Sequence, residues 1–145
     1  MTGSASEVSP RRAAADPEER YAFELPGTPE AGLAARRALL ARNGALPRPV
    51  RDDVLLLMTE LVTNAVRHGD AGPDRLLRLE LRQRRGAVRV AVCGEGPGFA
   101  PEATRLPPDE TGGWGLVLVD RIADRWAVTR TPTGTCVWFE LRYDE

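Results

Sequence analysis

The chain has 145 residues, twenty basic and twenty-one acidic, for a formal net charge of −1. That length suits one domain with room for a sizeable core. The near-neutral balance gives no electrostatic case for nucleic acid or an anionic membrane surface, and no apolar run is long enough to span a bilayer. All twenty basic residues are arginine. Without lysine there is neither a P-loop lysine nor the strand lysine of a protein-kinase lobe.

Residues 1–20 are Ser, Pro, Ala, Arg and Glu with almost no large apolar side chain. They cannot bury enough surface to offset ordering and read as a disordered tail, leaving 21–145 as the domain. No apolar signal-peptide core is present, so a cytoplasmic protein is the default.

Tyr21–Leu25 is a short strand, and Pro26-Gly27 turns the chain. Thr28 is the expected N-cap of a helix over 29–42, with Leu33, Leu39 and Leu40 inward and the arginines outward. Asn43-Gly44 ends it, and Pro47 and Pro49 form a linker. A second helix runs from about Val50 to His68 and closes at Gly69. Arg75–Arg82 and Ala87–Gly94 alternate apolar and polar residues, as two half-buried strands of an antiparallel hairpin do, with the turn at 83–86. A tight loop at Gly96–Gly98 leads into a polar, Pro-rich stretch over 100–112, whose length without structure points to a lid. A helix over 114–124 and a last hairpin, 125–130 with 135–142, complete the chain. The predicted fold is α+β: a two-layer sandwich of a mixed, mostly antiparallel sheet with helices on one face.

The second helix carries Glu60, Asn64 and His68 at four-residue spacing, one polar line beside an apolar face of Leu57, Leu61 and Ala65. A solvated helix edge has the same pattern. Two glycine-rich segments decide between the readings: Gly96-Pro97-Gly98-Phe99 after a strand, and Gly112-Gly113-Trp114-Gly115 before a helix. Glycines there let backbone approach phosphates closely, and a helix N-terminus favours anions. Asn64 offers a neutral oxygen to a magnesium ion that keeps waters and phosphate oxygens in its shell. Glu60, one turn earlier, is placed to act as a general base. Arg105 in the lid adds charge, though a solvated side chain is its plainer reading. Cys93 and Cys136 sit in different predicted strands without metal-ligand spacing, and with one histidine a zinc site lacks ligands. The cytoplasmic default argues against a disulfide between them.

These motifs, in this order, carry a resemblance. ELVTNAVRHG resembles the N-box, VAVCGEGPGF the first glycine box, GGWGLVLVDRIADRW the second with its helix, and GTCVWFEL the closing strand of the Bergerat-fold (GHKL) ATPase domain of histidine kinases, gyrase, Hsp90 and MutL. The chain is most similar to the small anti-sigma-factor serine kinases. The resemblance covers about residues 21–142 and implies ATP and Mg2+ as cofactors. It makes Glu60 the catalytic base and Asn64 the metal ligand. The implied nucleotide-binding set is Asn64, Gly94, Gly96, Gly98, Gly113, Gly115, Leu116 and Thr135. Within it, Gly96, Gly98 and Thr135 lie toward the adenine, and Gly113 and Gly115 at the phosphates.

One position departs from the pattern. The first glycine box of such domains opens with an Asp that hydrogen-bonds the adenine amino group, and here that position is Gly94. Its parity with Val90 and Val92 puts it on the pocket face. Losing a charge-assisted hydrogen bond costs about 1.5–3 kcal/mol, roughly ten- to a hundredfold in affinity. Glu95 points to the other face unless the strand bulges.

The resemblance implies an ATP-dependent serine/threonine kinase acting on an anti-sigma-factor antagonist and sequestering a sigma factor, with homodimerisation expected. Neither nucleic acid nor membrane is a direct partner. A self-sufficient histidine kinase does not fit, because the sole histidine belongs to the N-box. The competing reading is a non-catalytic interaction module with a degenerate nucleotide pocket.

Overall fold

The computed structural model describes residues 18–42, 46–68, 76–95, 115–132 and 134–144. In chain order the elements are β1 (Glu19–Pro26), α1 (Ala31–Ala41), α2 (Arg48–His68), β2 (Leu76–Arg84), β3 (Ala87–Glu95), α3 (Gly115–Ile122), β4 (Arg125–Thr131) and β5 (Gly134–Arg142). The strands form one five-stranded sheet in the order β1-β2-β3-β5-β4. Every neighbouring pair is antiparallel, so the sheet is not mixed. The architecture is the expected two-layer α+β arrangement.

Period-two alternation gives the sheet two unlike faces. Leu77, Leu79 and Leu81 of β2, Val88, Val90 and Val92 of β3, and Val137, Phe139 and Leu141 of β5 are buried on one face. They share a core with Val54, Leu55, Leu57, Met58, Leu61, Val62 and Ala65 of α2 and with Leu116 and Val119 of α3. The apolar face predicted for α2 is thus wider than Leu57, Leu61 and Ala65 alone. The opposite sheet face mixes charged side chains such as Arg82, Arg89, Glu140 and Arg125 with Ala91, Trp138, Ala127 and the two cysteines.

β1 begins at Glu19, two residues ahead of the prediction, so Glu19 and Arg20 of the predicted 1–20 tail belong to the strand, and residues 1–17 lie outside the described residues. β2 runs on to Arg84, so the hairpin turn narrows to Arg85-Gly86. Gly86 has φ +77°, and a Cβ there would sit 3.4 Å from the Tyr143 carbonyl oxygen. Gly86→Ala is therefore expected to destabilise the fold by about 1–2 kcal/mol, seen as a lower urea midpoint with an unchanged slope.

α1 departs from its sequence reading at three points. Its N-cap is Glu30, without a side-chain cap bond, rather than Thr28. The Thr28 carbonyl accepts the Ala31 N–H at 2.9 Å in a turn, which delays the regular helix by two residues. Leu33 and Leu40 are 51% and 55% exposed, and the buried stripe is Ala31, Gly32, Ala35 and Leu39. The reason is close approach: a Cβ on Gly32 would be 3.5 Å from both Thr59 Cγ2 and Thr63 Oγ1 of α2. Small residues face inward at 31, 32 and 35, where α2 approaches closely, and Leu39 is buried as predicted. Pro49, predicted in a linker, instead lies in the first turn of α2, where a missing N–H costs nothing.

Cys93 and Cys136 are joined in a disulfide, against the sequence expectation. They are directly opposed in the β3–β5 register, with Cα atoms 4.0 Å apart. Antiparallel pairing of two strands 43 residues apart brought together thiols that spacing alone left unrelated.

Candidate nucleotide-binding site

The polar line on α2 arises where an amphipathic helix places a polar group among buried neighbours. Asn64 is 3% exposed, and its Nδ2 has no hydrogen-bond partner. A buried amide end left unpaired costs about 1–3 kcal/mol, so it asks for a reason. The unpaired end is the NH2 donor, and a half-turn of the amide would present in its place the carbonyl oxygen that a cation requires. Glu60, one turn earlier, is half-buried. The side chain of His68 lies outside the described residues.

The sheet contributes the other wall. β3 keeps its alternation to the end, so Gly94 follows Val88, Val90 and Val92 on the helix-covered face, as parity predicts. Gly94 pairs with Thr135 of β5, which is 3% exposed, and Thr135 pairs in turn with Arg130 of β4. The β3–β5 pairing continues without a bulge to Glu95↔Gly134. A Cβ on Gly94 would lie 3.1 Å from Leu77 Cδ2, so the leucine end must give by a few tenths of an ångström to admit an acidic side chain here.

Gly115 opens α3, and Leu116 is buried at 5% exposure within the core. Gly96, Gly98 and Gly113, together with the predicted lid and Arg105, lie outside the described residues. Among the described residues no group of three or more His, Cys, Asp and Glu side chains is placed to hold a metal ion. A divalent ion at Asn64 would need phosphate oxygens and water to complete its shell, which is how magnesium is ordinarily held beside a nucleotide. The residues present fit such an ion.

Sequence reasoning missed a second concentration of polar chemistry, on the open face of the sheet. A cleft of about 220 Å3 is lined there by Glu18, Arg82, Arg84, Ala87, Arg89 and Glu140, on the side away from Gly94 and Thr135. The hydrogen bond from Arg82 holds the Glu18 carboxyl below the usual carboxylate range. Glu140 is 4% exposed. The signal was in the strands: Arg78, Arg82 and Arg84 of β2, with Arg89 of β3, Arg125 of β4 and Arg142 of β5, all hold outward positions.

Residues 24–141 match the histidine kinase-like ATPase domain family. The chain belongs to that family, and an ATPase domain implies ATP as its ligand. No curated protein matches the sequence. Among solved structures, the RsbU and RsbW domains of Rv1364c from Mycobacterium tuberculosis are similar at a TM-score of 0.63 and 22% identity, over 86% of this chain and 32% of that one. The histidine kinase domain of a blue-light activated histidine kinase from Erythrobacter litoralis is similar at a TM-score of 0.53 and 22% identity, over 75% of this chain and 56% of that one. At such identity the likeness establishes a shared fold, and this chain spans about a third and just over half of those two chains.

Proposed function

We propose that this chain is an ATP-dependent protein kinase of the anti-sigma type, phosphorylating a serine of an antagonist protein and sequestering a sigma factor. The observation that carries the reading is Asn64: a buried amide with one end unpaired, one helical turn from a half-buried carboxylate, in an ATPase domain. Bound Mg-ATP would supply the phosphoryl group, with the metal neutralising charge on its oxygens. Asn64 would hold the metal through its amide oxygen. Glu60 takes the proton of the acceptor serine hydroxyl as that oxygen becomes the nucleophile. Gly94, Gly96, Gly98 and Thr135 bound the adenine end, Leu116 packs beneath the pocket, and the backbone at Gly113 and Gly115 meets the phosphates. The cytoplasm is the proposed location, with a homodimer as the working unit. Among the described residues no helix is long and apolar enough to cross a membrane.

Gly94 supports a second reading, an interaction module that has lost its nucleotide. The two separate by calorimetric titration with Mg-ATP. Micromolar binding by the unmodified protein is the expected result and supports the kinase. If only Gly94→Asp binds, the unmodified chain is a nucleotide-blind module. If neither binds, Gly94→Asp combined with Leu77→Ala distinguishes a carboxylate blocked by the leucine from a wrong pocket assignment.

A further inference from the structure

The open face of the sheet is arranged against its own stability. The register aligns Arg20 of β1, Arg82 of β2, Arg89 of β3, Glu140 of β5 and Arg125 of β4 in one row across all five strands. Like charges directly opposite on neighbouring strands repel, and here Arg20, Arg82 and Arg89 are consecutive. Glu18 relieves one end: it accepts hydrogen bonds from Arg82 at 2.6 and 3.3 Å and from Arg20 at 2.8 Å.

The other end is undersupplied with carboxylate. Arg89, Arg142, Arg84 and Arg125 approach Glu140 at 3.4, 3.6, 4.0 and 4.0 Å. Only the Arg89 contact is a hydrogen bond, to Oε2, and Oε1 accepts none. Each guanidinium carries five donors in a planar fork suited to a carboxylate. The Arg89 guanidinium is also fixed, lying 4.0 Å over the Trp138 ring. The side chains of Arg84, Arg125 and Arg142 are 49%, 56% and 60% exposed, within reach of a ligand from solvent.

We propose that this cleft binds a carboxylate side chain from an acidic segment of a partner protein. Charge and size select that occupant. Three guanidiniums and two carboxylates line the cleft, and Arg125 and Arg142 border it at Glu140, so positive charge is in excess and draws an anion. A carboxylate matches the planar guanidinium fork that Arg84 turns to solvent, and inorganic phosphate is the competing anion that the test below includes. At about 220 Å3 the cleft falls below the range of about 300–1,000 Å3 that holds drug-sized ligands, and it suits a side chain. The chain's net charge of −1 offers no background attraction for nucleic acid. The site lies on the sheet face opposite the nucleotide pocket and does not depend on the kinase reading.

The test titrates the full chain, by calorimetry at about 50 mM salt, with a capped hexaglutamate peptide, a capped hexaglutamine peptide, inorganic phosphate and a short DNA duplex. Hexaglutamate alone is expected to bind. Its affinity should fall about tenfold in Arg84→Glu and at about 300 mM salt, and by a smaller factor in Arg84→Ala. Far-UV circular dichroism of both variants checks that they fold, and Arg84→Ala decides the matter if the charge reversal does not. The proposal is overturned if hexaglutamate does not bind, if hexaglutamine, phosphate or DNA binds as well, or if folded Arg84 variants keep full affinity. A dimer in sedimentation that Arg84→Glu dissociates would also overturn it, since a second copy would then hold the face.

Discussion

Replacing Glu60 with Gln is expected to slow phosphoryl transfer to a serine acceptor by about 10²–10⁴-fold, the usual contribution of a positioned general base, while Mg-ATP affinity changes by less than about threefold. Gln keeps the size and half-buried position of Glu60 but cannot accept the hydroxyl proton at neutral pH. Asn64→Ala should act differently, removing the metal's protein ligand and weakening Mg-ATP binding itself. Calorimetry separates binding from transfer, and radiolabelled phosphate on the acceptor measures the rate. Equal transfer rates for Glu60→Gln and the unmodified protein would remove Glu60 from the chemistry. Loss of binding in Glu60→Gln would make it a pocket residue instead of a base.

Replacing both Cys93 and Cys136 with Ser is expected to destabilise the protein by about 2–4 kcal/mol. The bond closes a loop across 43 residues, and the cost follows from the entropy that such a cross-link removes from the unfolded chain. Against a total stability of about 5–15 kcal/mol, that is a large fraction. The measurement is a urea titration of the oxidised protein, the reduced protein and the double variant. The oxidised form should have the highest midpoint, with the other two close together. If reductant leaves the midpoint unchanged, the thiols are not bonded in solution. A cytoplasmic location bears on this directly, because the reducing environment there keeps most thiols reduced.

Alternation along β2, β3 and β5 was legible because each strand has one buried face, and a one-residue slip would expose every Leu and Val on it. Those rows reappear as Leu77, Leu79, Leu81, Val88, Val90, Val92, Val137, Phe139 and Leu141 in the core. The same parity put Gly94 on the pocket face. α1 was misread because leucine was taken as the mark of burial. There the controlling quantity was distance to α2, and Gly32 and Ala35 won over Leu33 and Leu40.

The sequence by itself determined what depends on local period and residue chemistry: the strands, the long helix with Glu60 and Asn64 on one line, the absence of lysine chemistry, and the motifs of an ATPase domain. The tertiary structure alone decided what depends on strand order. β5 inserts between β3 and β4, and that placement opposes Cys93 to Cys136, sets Thr135 beside Gly94, and lays Glu140 between Arg89 and Arg125. Pairing across a sheet joins residues far apart in the chain through backbone hydrogen bonds common to all residues. No side-chain pattern therefore announces which strand will be the neighbour.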